Sequence, residues 1–475
     1  MKVFLIQPMM RMRPMDTTLK TRMSPSLGLL TVAQSIREGN GIEIINENVG
    51  DKIDYDGGAD IVGITVTVDT LPAAAAIAAE FRKRGVPVVA GGIQITCAPE
   101  SAREHFDTLC IGFAEKTWPQ IMADLKKGDL KKEYKCIRIS PEEILSPAYD
   151  MIDKRKYLFV NVVSTSRGCP FKCEFCYNST ANIRNSFVTR PIDDVIADIK
   201  TLKRSHIMFI DDNFIGNPGW TREFLERIKP MKIKWNAAVS ANVVEIPGML
   251  DLMKESGCQG LFIGFESLNQ ESIRTARKGQ NNIARYEYLI EEIHKRGIMI
   301  NASFVFGLDD DDPGTFDRTL DWIVKNKIET VTSHILTPYP GTAQHARMTA
   351  EGRITTTDQT LYTTSEVVFN PAKMTPQELK EGYLEIYRRI YSFSNIMKRM
   401  PRHQRVGYLL FNFLYRKYGK LTEKICSGIG YNRIGFVCEN LTFLRPESWG
   451  KKKDKKNEKG YARDYQAGQQ AGWEI

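Results

Sequence analysis

The 475-residue sequence contains no run of about 20 consecutive apolar residues, the length that a membrane-spanning helix requires. An N-terminal signal peptide is also missing, because residues 1–8 have the pattern of a short strand that ends at a proline. The protein is therefore predicted to be cytoplasmic. Wholesale disorder is excluded, because 42% of the residues are hydrophobic and only 26% are charged.

A disulfide framework is not expected either. The nine cysteines are odd in number and belong to a chain without a secretory signal, so metal binding or catalysis is the better use for any that cluster. Six are scattered and are predicted to be mostly small core residues: Cys97, Cys110, Cys136, Cys258, Cys426 and Cys438. The other three fall within eight residues: Cys169, Cys173 and Cys176.

Acidic residues are scarce only at the C-terminal end. Residues 395–475 contain 17 Lys and Arg against 7 Asp and Glu, whereas residues 1–394 contain 49 against 50. The whole positive excess of the chain therefore lies in its last sixth. Such a basic region attracts anionic lipid, nucleic acid or a phosphorylated partner, or it serves as a solubilising tail.

Residues 1–150 show short β-branched strands that alternate with helical patterns. Strands are predicted at 3–6, 42–45, 61–66, 86–89 and 108–111, with helices at 27–38 and 71–84. This alternation predicts an α/β domain with a doubly wound, mostly parallel sheet that helices cover on both faces. A sheet of this kind binds ligands at the carboxyl ends of its strands.

A less regular stretch at 139–157 leads into a second alternating series, which is assigned to a domain at 151–365. Its six strand–helix units predict a partial (β/α)6 barrel of the TIM type. The strands are predicted at 158–163, 206–210, 234–238, 261–265, 299–305 and 330–336. The pattern then becomes helical, which predicts a helical basic C-terminal domain at 366–450. Residues 451–475 are predicted to be a disordered tail.

The three clustered cysteines follow a predicted strand and have the spacing CxxxCxxC. Thiolates are soft ligands that suit iron–sulfur clusters or zinc. A structural zinc site usually has four ligands, and no nearby cysteine or histidine supplies the fourth at normal spacing, although zinc stays an alternative. A cubane held by three thiolates leaves one iron open to a substrate or cofactor.

At this point the sequence resembles the radical S-adenosylmethionine superfamily, whose signature is CxxxCxΦC with an aromatic residue at Φ; Phe175 occupies that position. The resemblance covers about residues 1–392 and fits the subgroup with an N-terminal cobalamin-binding domain, which includes the class B methylases. It implies that Cys169, Cys173 and Cys176 are the metal ligands of a catalytic 4Fe–4S cluster. The open iron would bind S-adenosylmethionine, whose reductive cleavage gives a 5′-deoxyadenosyl radical.

The resemblance also implies cofactor contacts elsewhere in the barrel. Asp211 and Asp212 match the second-strand motif, whose acidic residues lie near the methionine moiety; a helix-capping pair is the alternative. Glu266 and Ser267 match the fourth-strand region, where Glu266 would contact polar groups of the cofactor.

The N-terminal domain has the landmarks of a cobalamin-binding domain. The cofactor-binding residues implied there are Gly63, Thr65, Gly91, Gly92, Gln94, Gly112 and Glu115. Two departures from the subgroup occur: Gln94 stands where histidine is frequent, and residues 112–115 read GFAE rather than GEGE or GEAE. The DxHxxG motif that supplies a histidine ligand to cobalt is absent, so either cobalamin binds without that histidine or the domain has kept its fold and lost the cofactor.

The resemblance implies radical methylation of an unactivated carbon, with methylcobalamin as the methyl donor. A radical cyclase or rearrangement enzyme without methyl transfer is the first alternative, and a non-catalytic cobalamin or redox sensor is the second. Residues 339–374 resemble the extension of lipid-modifying relatives such as hopanoid methylases, which implies a small-molecule substrate, with a lipid as one candidate. Flavodoxin or ferredoxin would supply the electron.

The C-terminal region carries one further expectation. Basic and aromatic residues interleave at 402–418, as on helices that lie at an anionic membrane surface, so peripheral membrane contact is a candidate. An amphipathic helix packed on the barrel is the alternative. Nucleic acid is not favoured as a partner, because no RNA-binding motif accompanies the basic residues.

Overall fold

The computed structural model describes residues 1–14 and 16–441. Its first sheet is fully parallel, with the strand order β2-β1-β3-β4-β5-β6. The strands are β1 Lys2–Gln7, β2 Gly41–Asn46, β3 Ile61–Thr65, β4 Val88–Gly91, β5 Thr108–Gly112 and β6 Glu133–Cys136. The helices are α1 Thr18–Thr21, α2 Leu27–Ile36, α3 Leu71–Lys83, α4 Ile93–Cys97 and α5 Ala114–Lys127.

Two apolar cores lie on opposite faces of this sheet, which confirms the doubly wound fold. One core includes Phe4, Ile64 and Phe81, and the other includes Leu5, Val89 and Trp118. Neighbouring residues of one strand thus point into different cores, as alternation along a strand requires. Strand β6 and helix α5 were not among the predicted elements. The strand order reverses direction at β1, so a crevice is expected beside β1 and β3 at their carboxyl ends.

The second sheet is also parallel and has the order β7-β10-β11-β12-β13-β14. Its strands are β7 Val162–Val163, β10 His206–Phe209, β11 Lys234–Val239, β12 Cys258–Glu266, β13 Met299–Phe306 and β14 Thr330–Ile335, and a hairpin of β8 Ser166–Arg167 and β9 Val188–Thr189 follows β7. The helices are α6 Ile192–Leu202, α7 Pro218–Ile228, α8 Met249–Glu255, α9 Gln270–Thr275, α10 Tyr286–Lys295, α11 Thr315–Lys325 and α12 Ala343–Ala350. Six neighbouring parallel strands joined by helices form the partial barrel.

Helices follow the barrel in the described residues, as expected. They are α13 Pro376–Ile390, α14 Phe393–Lys398, α15 Arg405–Leu409, a π-helical segment Leu410–Lys417, α16 Gly419–Ile429 and α17 Tyr431–Leu441. Helix α13 packs on the last barrel strand through Tyr387, whose Oη accepts a hydrogen bond from the backbone N–H of Ser333. Tyr391, directly after the helix, donates from Oη to the Val331 carbonyl. The C-terminal helical segment therefore packs against the barrel.

Several predicted boundaries differ from the observed ones. The strand predicted at 158–163 is reduced to Val162–Val163, because Leu158 and Phe159 donate their N–H groups to Arg22 and Met23 instead. The predicted tail at 451–475, and the last residues of the 366–450 segment, lie outside the described residues. Within residues 1–14 and 16–441, no helix combines the length and apolarity needed to cross a bilayer.

Candidate active site

A cavity of about 460 Å³ lies where the carboxyl ends of the two sheets meet. From the first sheet it is lined by the predicted residues Gly63, Thr65, Gly91, Gly92, Gly112 and Glu115. From the second sheet it is lined by Arg167, Gly168, Tyr177, Asp211 and Asp212 among others. The cavity thus brings together most of the cobalamin-type landmarks and the two residues that flank the cysteine loop.

The cysteine loop leaves the short hairpin strand β8 at Gly168 and holds its three thiols near one another. Cys173 is buried, and Cys169 and Cys176 are partly buried. Burial raises the pKa of Cys169 to about 11 and that of Cys176 to about 12, and metal coordination is what deprotonates such thiols. In the described part of the chain, no three His, Cys, Asp or Glu side chains are arranged to hold a single metal ion. Three thiols on one loop are the donor set of a cluster, which spreads its thiolates over separate irons.

Hydrogen bonds to Asp211 and Asp212 fix the two ends of this loop. Asp211 Oδ1 accepts hydrogen bonds from the backbone N–H groups of Thr165 and Ser166 at 2.8 and 2.5 Å, and from Ser166 Oγ at 2.7 Å. Asp212 Oδ1 accepts from Tyr177 Oη at 2.7 Å. Burial raises the pKa of Asp211, and its Oδ2 has no hydrogen-bond partner. The two aspartates therefore position the loop. Oδ2 of Asp211 can still accept a hydrogen bond from a cationic or protic group.

Glu266 is the charged partner of a lysine rather than an isolated acid. Its Oε1 accepts from Lys278 Nζ at 2.5 Å, and its Oε2 accepts from Ser303 Oγ at 3.4 Å. Burial alone would lower the pKa of Lys278, but the Glu266 carboxylate and the nearby Cys173 thiol raise it overall. Ser267 is buried beside it, where its Oγ accepts from the backbone N–H of Asn269 at 3.0 Å. Both predicted residues thus lie behind the loop, outside the cavity wall.

Two of the predicted glycines are required by the fold itself. A Cβ on Gly63 would lie 2.5 Å from the Trp118 ring, and a Cβ on Gly112, which has a φ of +89°, would lie 2.0 Å from the Cys136 carbonyl oxygen. These glycines keep the sheet close to α5 and to the following strand. Beside them the cavity continues as an apolar cleft between the sheet and helices α2 and α5, lined by Leu5, Val32 and Trp118.

Gln94 and Phe175 are placed away from this cavity. Gln94 is 4% exposed, donates from Nε2 to Ser101 Oγ at 3.1 Å, and lines a second, smaller cavity. Phe175 packs against the barrel core, which fixes the loop between Cys173 and Cys176. One ion pair crosses the main cavity, with Arg167 Nη2 at 3.9 Å from Glu115 Oε1. This pair links the cysteine loop to the first sheet.

Three residues of the site were missed by the sequence reasoning. Gln280 Nε2 donates to Cys173 Sγ at 3.5 Å, Lys278 pairs with Glu266, and Tyr177 lines both cavities. Residues 278–281 follow a short helix and carry no motif, so only the fold brings them to the cysteines. Tyr177 directly follows the last cysteine, and that adjacency was a usable signal.

Comparison with known proteins agrees with this geometry. A model of the radical SAM superfamily matches residues 163–323, and a model described as a domain of unknown function (DUF4070) matches residues 342–413. Bacteriochlorophyllide d C-12(1)-methyltransferase of Chlorobaculum tepidum is 31% identical over 415 residues, which are 85% of this chain and 90% of that protein.

Solved structures show the same fold. The radical S-adenosylmethionine methyltransferase TsrM from Kitasatospora setae, with cobalamin and a [4Fe-4S] cluster bound, has a TM-score of 0.58 at 16% identity and covers 74% of this chain and 78% of its own. The cobalamin-dependent S-adenosylmethionine radical enzyme OxsB has a TM-score of 0.63 at 14% identity and covers 92% of this chain and 72% of its own. This chain belongs to the radical S-adenosylmethionine superfamily and, within it, to the subgroup that contains the cobalamin-dependent class B methylases.

Proposed function

We propose that this protein is a cobalamin-dependent radical S-adenosylmethionine enzyme that methylates an unactivated carbon. The observation that carries the proposal is the single cavity lined both by the glycine-rich strand ends of the first sheet and by Gly168 and Tyr177 beside the cysteines. Two cofactors bound at these two walls face the same space. A methylase needs this proximity, because a substrate carbon must meet both.

The cysteine loop holds the cluster in this proposal. Cys169, Cys173 and Cys176 supply three thiolates, Gln280 donates a hydrogen bond to one of them, and Asp211 fixes the backbone before the loop. When bound, the cofactors supply one-electron cleavage of S-adenosylmethionine and a transferable methyl group. The chain's own part is to exclude water and to fix the direction in which the reacting atoms approach.

The first sheet holds cobalamin in the same proposal. Thr65, Gly91, Gly92 and Glu115 would hold cobalamin at this wall, and the cleft between the sheet and helices α2 and α5 would give it further room. No histidine is among the described residues that line the cavity. This agrees with the absent DxHxxG motif.

The substrate is a hydrophobic small molecule, of which a lipid is one class, and flavodoxin or ferredoxin supplies the electron. Contact with an anionic membrane also belongs to the proposal. Helix α16 exposes Leu421, Ile425 and Ile429, with exposed fractions of 58%, 45% and 52%, next to Lys420 and Lys424. An apolar row flanked by lysines supports attachment to a surface of anionic lipid.

Anaerobic reconstitution of the full chain tests the function. We expect iron and sulfide in equal amounts, stoichiometric cobalamin, and reductive cleavage of S-adenosylmethionine that Cys173→Ala abolishes. Protein that binds the cofactors but never cleaves S-adenosylmethionine would support the sensor alternative. Cleavage without transfer of labelled methyl to a verified substrate would support the cyclase alternative. A preparation that contains zinc and no sulfide would overturn the proposal.

A further inference from the structure

A second cavity of about 280 Å³ adjoins the first. Ile93 and Tyr177 line both cavities, so these two side chains form the partition between them. The walls come from the segment after β1, the loops that follow β3 and β4, and the segment after β14. The second cavity is therefore accessible to a molecule whose one end lies at the partition, next to the cofactor cavity.

Apolar and aromatic side chains make up much of the lining of the second cavity. Val68 and Tyr362 are 6% and 2% exposed, and Met10, Met12 and Tyr339 also line this cavity. Methionine and aromatic rings suit an irregular apolar ligand, because they adapt their shape and are polarizable. The cavity thus offers a large apolar contact area to the body of a substrate.

The charged residues that line the second cavity carry an excess of positive charge. Three cations line it, Arg11, Arg13 and Lys20, against two carboxylates, Asp16 and Asp69. Asp16 Oδ2 is shared, at 2.6 Å from Lys20 Nζ and 3.8 Å from Arg13 Nε. The Lys20 and Arg13 side chains are only 30% and 24% exposed, so solvent compensates the surplus charge poorly.

The pKa values of Lys20 and His334 are consistent with this excess of positive charge. The pKa of Lys20 is lowered by burial and then by the charge of Arg13. Burial and, to a smaller extent, the positive charges of Arg13, Lys20 and Arg416 together lower the pKa of His334 to about 3. His334 is therefore neutral, and the local field favours an anion.

We infer that the second cavity binds the substrate and that this substrate combines an apolar body with a carboxylate held by Arg13 and Lys20. This inference rests on the proposed function, since it assigns the substrate of the same enzyme. The carboxylate would neutralise the cations, and the apolar body would extend along Val68 and Tyr362 to the partition at Tyr177. Charge-assisted hydrogen bonds of this kind are about twice as strong as neutral ones.

Equilibrium binding of a fluorescent pair of probes to the full chain tests the inference. The probes are 1-pyrenebutyrate and its uncharged methyl ester. We expect the wild-type protein to prefer the acid by about tenfold or more. The double variant Arg13→Gln/Lys20→Met should lose this preference, whereas Arg13→Lys should retain most of it. Lys83→Met, on the exposed face of α3, is the matched control and should bind like the wild type.

Three results would overturn the inference: equal affinity of the wild-type protein for acid and ester, no binding of either probe, or an equal loss of both probes in the double variant. The last result would assign Arg13 and Lys20 a purely structural role. Cleavage of S-adenosylmethionine by the wild-type protein is measured separately, so failure of this inference is distinguishable from failure of the proposed function.

Discussion

Lys278 and Glu266 form an ion pair beside the cysteine loop, with 2.5 Å between Nζ and Oε1. Both side chains are only 10% exposed. Glu266 stands at a bulge between β12 and β13 with a φ of +64°, a backbone conformation that costs about 1–3 kcal/mol in a residue with a side chain. The pair is enclosed further, because a Cβ on Gly264 would lie 2.3 Å from Glu266 Oε1.

Lys278→Met is expected to destabilise the protein strongly. It leaves a buried carboxylate without its partner, which costs about 3–5 kcal/mol in comparable pairs. The thermal unfolding midpoint of the apoprotein should fall, and less iron should be retained after anaerobic reconstitution. Lys172→Met, an exposed lysine of the cysteine loop, is the matched control and should change neither quantity.

The double variant Glu266→Gln/Lys278→Met separates charge from packing. Because it removes both charges, it should recover a large part of the stability that Lys278→Met loses. If Lys278→Met were as stable as Lys172→Met, the pair would not hold the region beside the cysteines together.

Asp211 is expected to act on the cluster through the backbone. Asp211→Ala leaves three donors of Thr165 and Ser166 without an acceptor, at about 1–3 kcal/mol for each buried donor. Asp211→Asn keeps the Oδ1 acceptor. We therefore expect the alanine variant to lose stability and iron content, while the asparagine variant retains both. Equal iron content in the two variants, measured after reconstitution, would contradict this role.

The sequence was sufficient for the parts of the site that are local in the chain. Cys169, Cys173 and Cys176 are recognised by spacing, and the strand–helix alternation predicted both parallel sheets. Contacts between residues that are distant in the sequence could not be predicted from spacing or periodicity. Lys278 reaches Glu266 across a helix and a turn, and Arg167 meets Glu115 from a different sheet, so neither contact leaves a periodic pattern.

The direction of a side chain is equally hard to predict from a landmark. Gln94 occupies a position typical of cobalamin-binding domains, but α4 turns it toward Ser101 and the second cavity. Gly63 and Gly112 were expected to admit a ligand, and packing against Trp118 and Cys136 already requires them. Tertiary contacts decide such cases, and these contacts join residues that are distant in the sequence.

Stability is expected to fall as pH rises through the titration of Asp311. Asp311 is 2% exposed and caps the end of β13, where Oδ2 accepts from the backbone N–H groups of Gly307 and Leu308 at 2.9 and 3.1 Å. Its pKa is raised to about 7, chiefly by burial and to a smaller extent by the nearby charges of Asp312 and Asp310. The folded state therefore holds a proton that the unfolded state has released, so stability decreases between about pH 4 and pH 7.

Asp311→Asn should remove this part of the pH dependence, because the amide oxygen still accepts both hydrogen bonds and never ionises. The difference in unfolding midpoint between the variant and the wild type should thus grow in favour of the variant from pH 5 to pH 8. Asp321→Asn, at an exposed position of α11, is the control and should show a constant difference. A constant difference for Asp311→Asn as well would refute the assignment.

The exposed apolar residues of α16 lead us to predict that the protein binds membranes through this face. Leu421 and Ile425 lie one turn apart on this helix and point outward, whereas Cys426 of the same helix is 1% exposed. We expect the full chain to sediment with vesicles that contain phosphatidylserine, less with neutral vesicles, and less at high salt, because Lys417, Lys420 and Lys424 add attraction that salt screens.

Leu421→Glu/Ile425→Glu should lower the sedimented fraction severalfold, since it places two negative charges where acyl chains would lie. Tyr288→Glu removes an aromatic side chain of similar exposure, 46%, from α10 and adds one negative charge at a different site. It should bind vesicles like the wild type. If both variants lose binding to the same extent, charge alone explains the effect; if neither does, the α16 face does not contact the bilayer, and either result removes the lipid surface from the proposed function.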